Sequence, residues 1–195
     1  MFMRLVSVVF HPVFVNVAAL ILLMQIHPVL HIKLSSIQQL FYILFYFLMA
    51  AVIPLLSILV MRLTGAVKSV HLTESSERRL PLMITSAMLV FLFYTFGRLN
   101  APAAIQLFVL TNAAIAVSLM IWNEYNKISL HMASMGLLCG VLISFSWVYE
   151  VRWLLAVFFP VAGITATSRL YDQAHTGRQL LYGFLLGLCS TLFIL

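Results

Sequence analysis

From residue 40 to residue 61 the chain reads LFYILFYFLMAAVIPLLSILVM, a run without one charged residue. About 20 predominantly apolar residues are what a helix needs to cross the hydrocarbon of a bilayer. The rest of the sequence is of the same kind. Hydrophobic residues fill 64% of the 195 positions and charged residues only 8%, where an ordinary soluble domain carries about 25% charge. Too few charges remain to cover a water-exposed surface. The sequence therefore predicts an all-α integral membrane protein, a polytopic bundle of transmembrane helices. No long polar stretch marks off a soluble domain, so residues 1–195 are expected to form a single transmembrane domain.

Seven stretches are apolar enough to serve as spans: residues 8–30, 38–63, 80–97, 101–122, 128–149, 153–168 and 179–195. The first contains Pro12 and Pro28, each directly after a histidine, and is expected to be irregular or partly interfacial. Six or seven spans is the resulting expectation. Pro54 and Pro160 fall within spans, where membrane helices tolerate proline better than soluble ones do. Arg4 precedes an apolar run as in a signal peptide, but no small-residue cleavage site follows, so the segment reads as a mature span. The expected location is the bacterial inner membrane, multi-pass.

The formal charge of +6 comes from Lys and Arg residues scattered singly or in pairs. No basic run of the nucleic-acid type is present, so the expected partners are membrane lipids and not nucleic acid. Cys139 and Cys189 lie inside apolar segments without metal-type spacing and are expected to pack as small hydrophobes.

The polar residues collect in three connections: KSVHLTESSERRLP (68–81), NEYNKISLH (123–131) and TSRLYDQAHTGRQ (167–179). Counting spans puts all three on one face. Read as a helix, the last aligns Arg169, Asp172, His175 and Gln179 on one side; the ordinary alternative is a snorkelling, solvated helix end. In the second, Ser129 is placed as an N-cap with Lys127 and His131 beside it, a natural anion seat. A capped helix with a basic flank is the plainer reading. In the first, Arg78 and Arg79 stand before a span, either as interfacial anchors or as bidentate phosphate ligands. The second and third connections supply two histidines, and all three together a group of cations, but no carboxylate pair or cysteine set for a metal. That inventory suits metal-free phosphoryl transfer, with one His attacking phosphorus, the other protonating the leaving oxygen and the cations holding charge.

Ser168-Arg169, five residues, His175, three residues and Gln179 resembles the last signature of the type-2 phosphatidic acid phosphatase family, which ends in Asp. Ile128-Ser129-Leu130-His131 is similar to that family's Pro-Ser-Gly-His. His71, six residues and Arg78, followed by Arg79-Leu80-Pro81, echoes its Lys, six residues, Arg-Pro. The resemblance spans residues 68–187, the expected phosphatase-like core. It implies a helical membrane bundle without metal or other cofactor, acting on a lipid phosphate or polyprenyl diphosphate. His175 would be the nucleophile and His131 the general acid. Arg169 with Arg78 or Arg79 would bind phosphate, helped by the backbone at Ser129. Ser168 and Lys127 complete the expected phosphate set.

The sequence departs from that pattern at Gln179, where a carboxylate would orient the histidine; an amide in the analogous role of serine proteases costs roughly 10⁴ in rate. Asp172, one turn before His175, and the Gln179 carbonyl oxygen are the candidate substitutes. Two readings follow: a membrane phosphatase working through a phosphohistidine, or a weakened pseudo-phosphatase that binds phosphorylated lipid. A transporter would want charged or broken-helix features at the midplane, and an aspartate-dependent prenyltransferase more than the one Asp present.

Overall fold

Proline, glycine and capping residues cut the apolar sequence into helices, and in the computed structural model, which describes residues 2–67 and 75–195, every regular element is helical. The order is α1 (Phe2–Val9), α2 (Pro12–Ile26), α3 (Pro28–Lys33), α4 (Ser36–Phe47), a π-helical turn (Leu48–Val52), α5 (Ile53–Leu63), α6 (Ser75–Arg98), α7 (Ala103–Trp122), α8 (Leu130–Ser146), α9 (Arg152–Tyr171) and α10 (Gly177–Ile194). Among the described residues five helical stretches are long and apolar enough to cross a membrane: Ser36–Leu63, Glu77–Arg98, Ala103–Trp122, Arg152–Tyr171 and Gly177–Ile194. Many of their large apolar side chains face outward, Leu55, Leu56 and Leu59 among them, as a multi-pass membrane protein requires.

The two other expected spans are shorter. Residues 8–30 do not form one helix: the chain breaks at His11 and His27, and Pro12 and Pro28 open new helices. A proline at a helix start gives up an N–H that has no partner there anyway, and the residue before it is pushed to extended geometry. The expected span 128–149 becomes the 17-residue α8. Pro54 has a different effect. It cannot donate to the carbonyl four residues back, and the helix widens just before it, with Ile53 N–H reaching Leu48 O.

The chain divides into two compact units, one of Met1–Ile43 and Ile128–Leu195 and the other of Leu44–Lys127. In the first, α8 is the core. Every residue from Met132 to Leu142 is buried, as expected of a helix apolar on all sides, and α2, α9 and α10 pack around it. Its contact with α10 is backbone on backbone. A Cβ at Gly187 would collide with Ala133 O and lie 2.7 Å from Leu137 N, and one at Gly183 would lie 2.6 Å from Ser129 O. Small residues four apart thus bring the two axes together, the usual device where lipid removes the hydrophobic drive between helices. Cys139 is buried in α8 as expected, but Cys189 is exposed. It sits two residues from Gly187 and so turns away from the packed face.

In the second unit α6 packs on α7 and α5 on α6. Tyr46 Oη donates to Asn112 Oδ1 at 2.9 Å, and Asn112 Nδ2 donates to Phe108 O at 2.8 Å. These bonds satisfy polar groups sunk in hydrocarbon. An apolar groove of about 640 Å³ lies against Met83, Ser86, Val90, Phe91, Tyr94 and Met120.

Candidate functional site

The stretch 167–183 is not one helix. α9 stops at Tyr171, and Gln173 takes a left-handed φ of 52°. Ala174 N–H then reaches back to Arg169 O, and Gln173 N–H to Leu170 O, the paired bonds of a Schellman ending. Thr176 caps the next helix. Its hydroxyl accepts from Gln179 N–H, while Gln179 Oε1 accepts from Thr176 N–H at 3.0 Å, a complete capping box. The four residues expected on one helical face are therefore distributed across a turn. Arg169 lies in the last turn of α9 and Asp172 is its C-cap. His175 is buried in the turn and Gln179 sits in the first turn of α10.

Ser129 caps α8, as its position predicts, its hydroxyl accepting from Met132 N–H at 3.4 Å. Its own N–H donates to Gln179 O at 3.3 Å, so the starts of α8 and α10 are joined. This junction brings His131, the second residue of α8, into the range of the charge on Arg169 and of His175.

The centre of the cluster is a residue that the sequence reading passed over. Ser7, on α1, lies 3.2 Å from Arg169 Nη1, 2.6 Å from Ser168 Oγ and 3.4 Å from Asp172 Oδ2. Ser168 Oγ gives its single proton to Met3 O at 2.6 Å. Ser7 is then the donor to Ser168, and the long contact to Asp172 competes for that proton. The Ser7 carbonyl, meanwhile, lies 3.1 Å from His131 Nε2. A carbonyl only accepts, so Nε2 carries the hydrogen and Nδ1 is the bare nitrogen of the neutral ring.

Arg169 also pairs with Asp172 at 3.6 Å, both side chains being largely shielded. Its Nε is buried with no hydrogen-bond partner. An unmade hydrogen bond at such a donor costs about 1–3 kcal/mol or more.

A second overlooked residue is His11, in the break between α1 and α2 and outside every helix of spanning length. Its Nδ1 accepts from Val13 N–H, capping α2, and its ring meets that of His131 edge-on at 5.5 Å. Burial first, then the nearby Arg169 charge, lower its pKa. The Ser7 signal was a lone hydroxyl in the apolar run FMRLVSVV, and the His11 signal was the His-Pro pair.

One unit thus brings together Ser129, His131, Ser168, Arg169, Asp172, His175 and Gln179. The other expected cations belong to the second unit. There Arg79 pairs with Glu124 at 3.6 Å on an exposed surface, Arg78 is buried and Lys127 is partly exposed. His71 lies outside the described residues. Among the described residues no three His, Cys, Asp or Glu side chains group as metal ligands.

Comparison with protein-family models, with curated proteins and with solved structures gives no match in any of the three.

Proposed function

We propose that this chain is a divergent relative of the type-2 phosphatidic acid phosphatases, a polytopic protein of six or seven spans. In this reading it hydrolyses a lipid phosphate or a polyprenyl diphosphate. The observation that carries the proposal is the largely shielded guanidinium of Arg169, whose Nε is buried and unpartnered and whose charge reaches His11 and His131. A shielded cation with an unused donor suits an oxyanion, and a planar guanidinium fits phosphate bidentately. His175 attacks phosphorus through its neutral ring, the P–O bond to the lipid breaks, and His131, having taken up a proton at Nδ1 to become imidazolium, gives one to the leaving oxygen. Water then cleaves the phosphohistidine and releases inorganic phosphate. Arg169 holds the charge that builds on the equatorial oxygens. Ser168, fixed by Met3 O, supports the turn that carries Arg169.

The test is phosphate release by purified, detergent-solubilised protein from phosphatidic acid, phosphatidylglycerol phosphate and polyprenyl diphosphates. Release that vanishes in Arg169→Gln and in His175→Ala supports the reading; equal release by the variants contradicts it.

A second reading has its own support. Gln179 Oε1 already accepts from Thr176 N–H, and Asp172 is engaged with Arg169 and Ser7. If neither orients His175, the same pocket binds phosphorylated lipid without turnover. Binding of phosphatidic acid without phosphate release selects this alternative.

A further inference from the structure

The donors that would hold a phosphate group are not open in this structure, because the chain's own first helix covers them. Ser7 sets a hydroxyl oxygen 3.2 Å from Arg169 Nη1 and a carbonyl oxygen 3.1 Å from His131 Nε2. Ser7 itself is buried. We propose that α1 is an internal competitor for the oxyanion site, and that a phosphate group enters by displacing Ser7 from Arg169 and His131. The proposal rests on the phosphate-site reading for the class of its ligand, but not on turnover.

The fit of α1 is incomplete in a way that favours exchange. Ser7 satisfies one guanidinium nitrogen and leaves Nε buried and unpartnered. A phosphate that takes the Nη1 position held by Ser7 presents its second oxygen to Nη2, and these charge-assisted bonds are stronger than one to a neutral hydroxyl. The anion therefore gains a contact that Ser7 does not make.

α1 is also lightly held. It has eight residues, too few for a helix to persist alone in water, and its main packing partner is α9. Leu5, Val8 and Val9 point outward. Its link to the rest of the unit is an irregular turn through Phe10 and His11, with Pro12 fixing the start of α2. Displacement also frees chemistry. While His131 Nε2 is committed to Ser7 O, that nitrogen cannot face a leaving group; once it is released, a ring that takes up a proton at Nδ1 can give the one on Nε2.

The experiment uses the full-length protein in a Cys189→Ser background, since Cys189 is the exposed native thiol. Val6→Cys places a reporter beside Ser7 at a position only 7% exposed and leaves every Ser7 contact in place. Ser7→Cys is a second reporter, should the first fail to fold. N-ethylmaleimide labelling is timed alone, with inorganic phosphate, and in nanodiscs containing phosphatidic acid or only phosphatidylcholine. If labelling follows the open population, a ligand at ten times its Kd accelerates it about tenfold. Arg169→Gln abolishes that acceleration.

Acceleration by both ligands assigns the site to phosphate as such, and acceleration by phosphatidic acid alone assigns it to the lipid head group; either supports displacement. Labelling that is unchanged or slowed by both overturns it. Phosphate release is measured on the same samples. Faster labelling without release keeps the displacement and removes the enzyme, whereas release with unchanged labelling does the reverse.

Discussion

Ser7 and His131, 124 positions apart in sequence, meet through one hydrogen bond of 3.1 Å between the Ser7 carbonyl and His131 Nε2. That contact fixes which ring nitrogen bears the proton. It also ties the first helix to a histidine that the proposed reaction uses, while the Ser7 hydroxyl reaches Arg169, Ser168 and Asp172.

Ser7→Ala keeps the carbonyl and removes the hydroxyl. Arg169 then loses an acceptor in a shielded place, and the expected loss of stability is about 1–2 kcal/mol, read as a lower Tm in detergent. Phosphate should bind this variant more tightly than the parent, because its internal competitor is weaker. Isothermal titration with inorganic phosphate measures that shift, and an unchanged or weaker affinity counts against the competition.

The α8–α10 contact predicts opposite outcomes for two similar substitutions. Gly187→Ala drives a methyl group into the backbone of Ala133 and Leu137, which cannot rotate away. Its cost should reach or exceed the roughly 1–3 kcal/mol typical of overpacking. Gly163→Ala in α9 meets nothing within 4 Å and should stabilise by about 0.5–1 kcal/mol through helix propensity. Thermal unfolding of the two proteins side by side checks both signs.

The capping box at Thr176 and Gln179 sets where α10 begins. Thr176→Ala should cost about 0.5–2 kcal/mol. Gln179→Glu preserves both bonds and adds negative charge at a helix N-terminus, so its stability should equal or exceed that of the parent. A lower Tm for Gln179→Glu would show that the amide group itself is required.

His11 gives a pH prediction. Its pKa in the folded chain lies below the ordinary value of 6.5, so the folded state holds fewer protons than the unfolded state as pH falls. Stability contributed by its neutral form is full above about 6.5 and is lost progressively below it, down to the lowered value. His11→Asn retains an N-cap acceptor and removes the titration. Between pH 7.5 and 5.5 its Tm should fall less than that of the parent; parallel curves would contradict this.

The sequence was readable where local physics decides. The apolar run at 40–61 is helix throughout, Ser129 caps α8, and Pro12 and Pro28 each interrupt the first apolar segment. The turn after Tyr171 was misread as helix because Gln173 is not a residue that announces a left-handed φ. Its signal was downstream, in the Thr-x-x-Gln capping box of α10. Ser7 was harder to find. Its partners lie more than 120 positions away, and nothing in FMRLVSVV says which helix will receive its hydroxyl. Ser168 and Arg169 are singled out by motif spacing, but the acceptors they use, Met3 O and Ser7, lie ahead of the first expected span at 8–30, where no motif points.

The central claim is that His175 takes the phosphoryl group. The direct measurement is to mix the purified protein with phosphatidic acid carrying ³²P in its head group, quench in base within a turnover, and count protein-bound label. The account predicts a base-stable, acid-labile phosphoprotein that is lost in His175→Ala. No label above that variant would contradict it, as would label that survives acid.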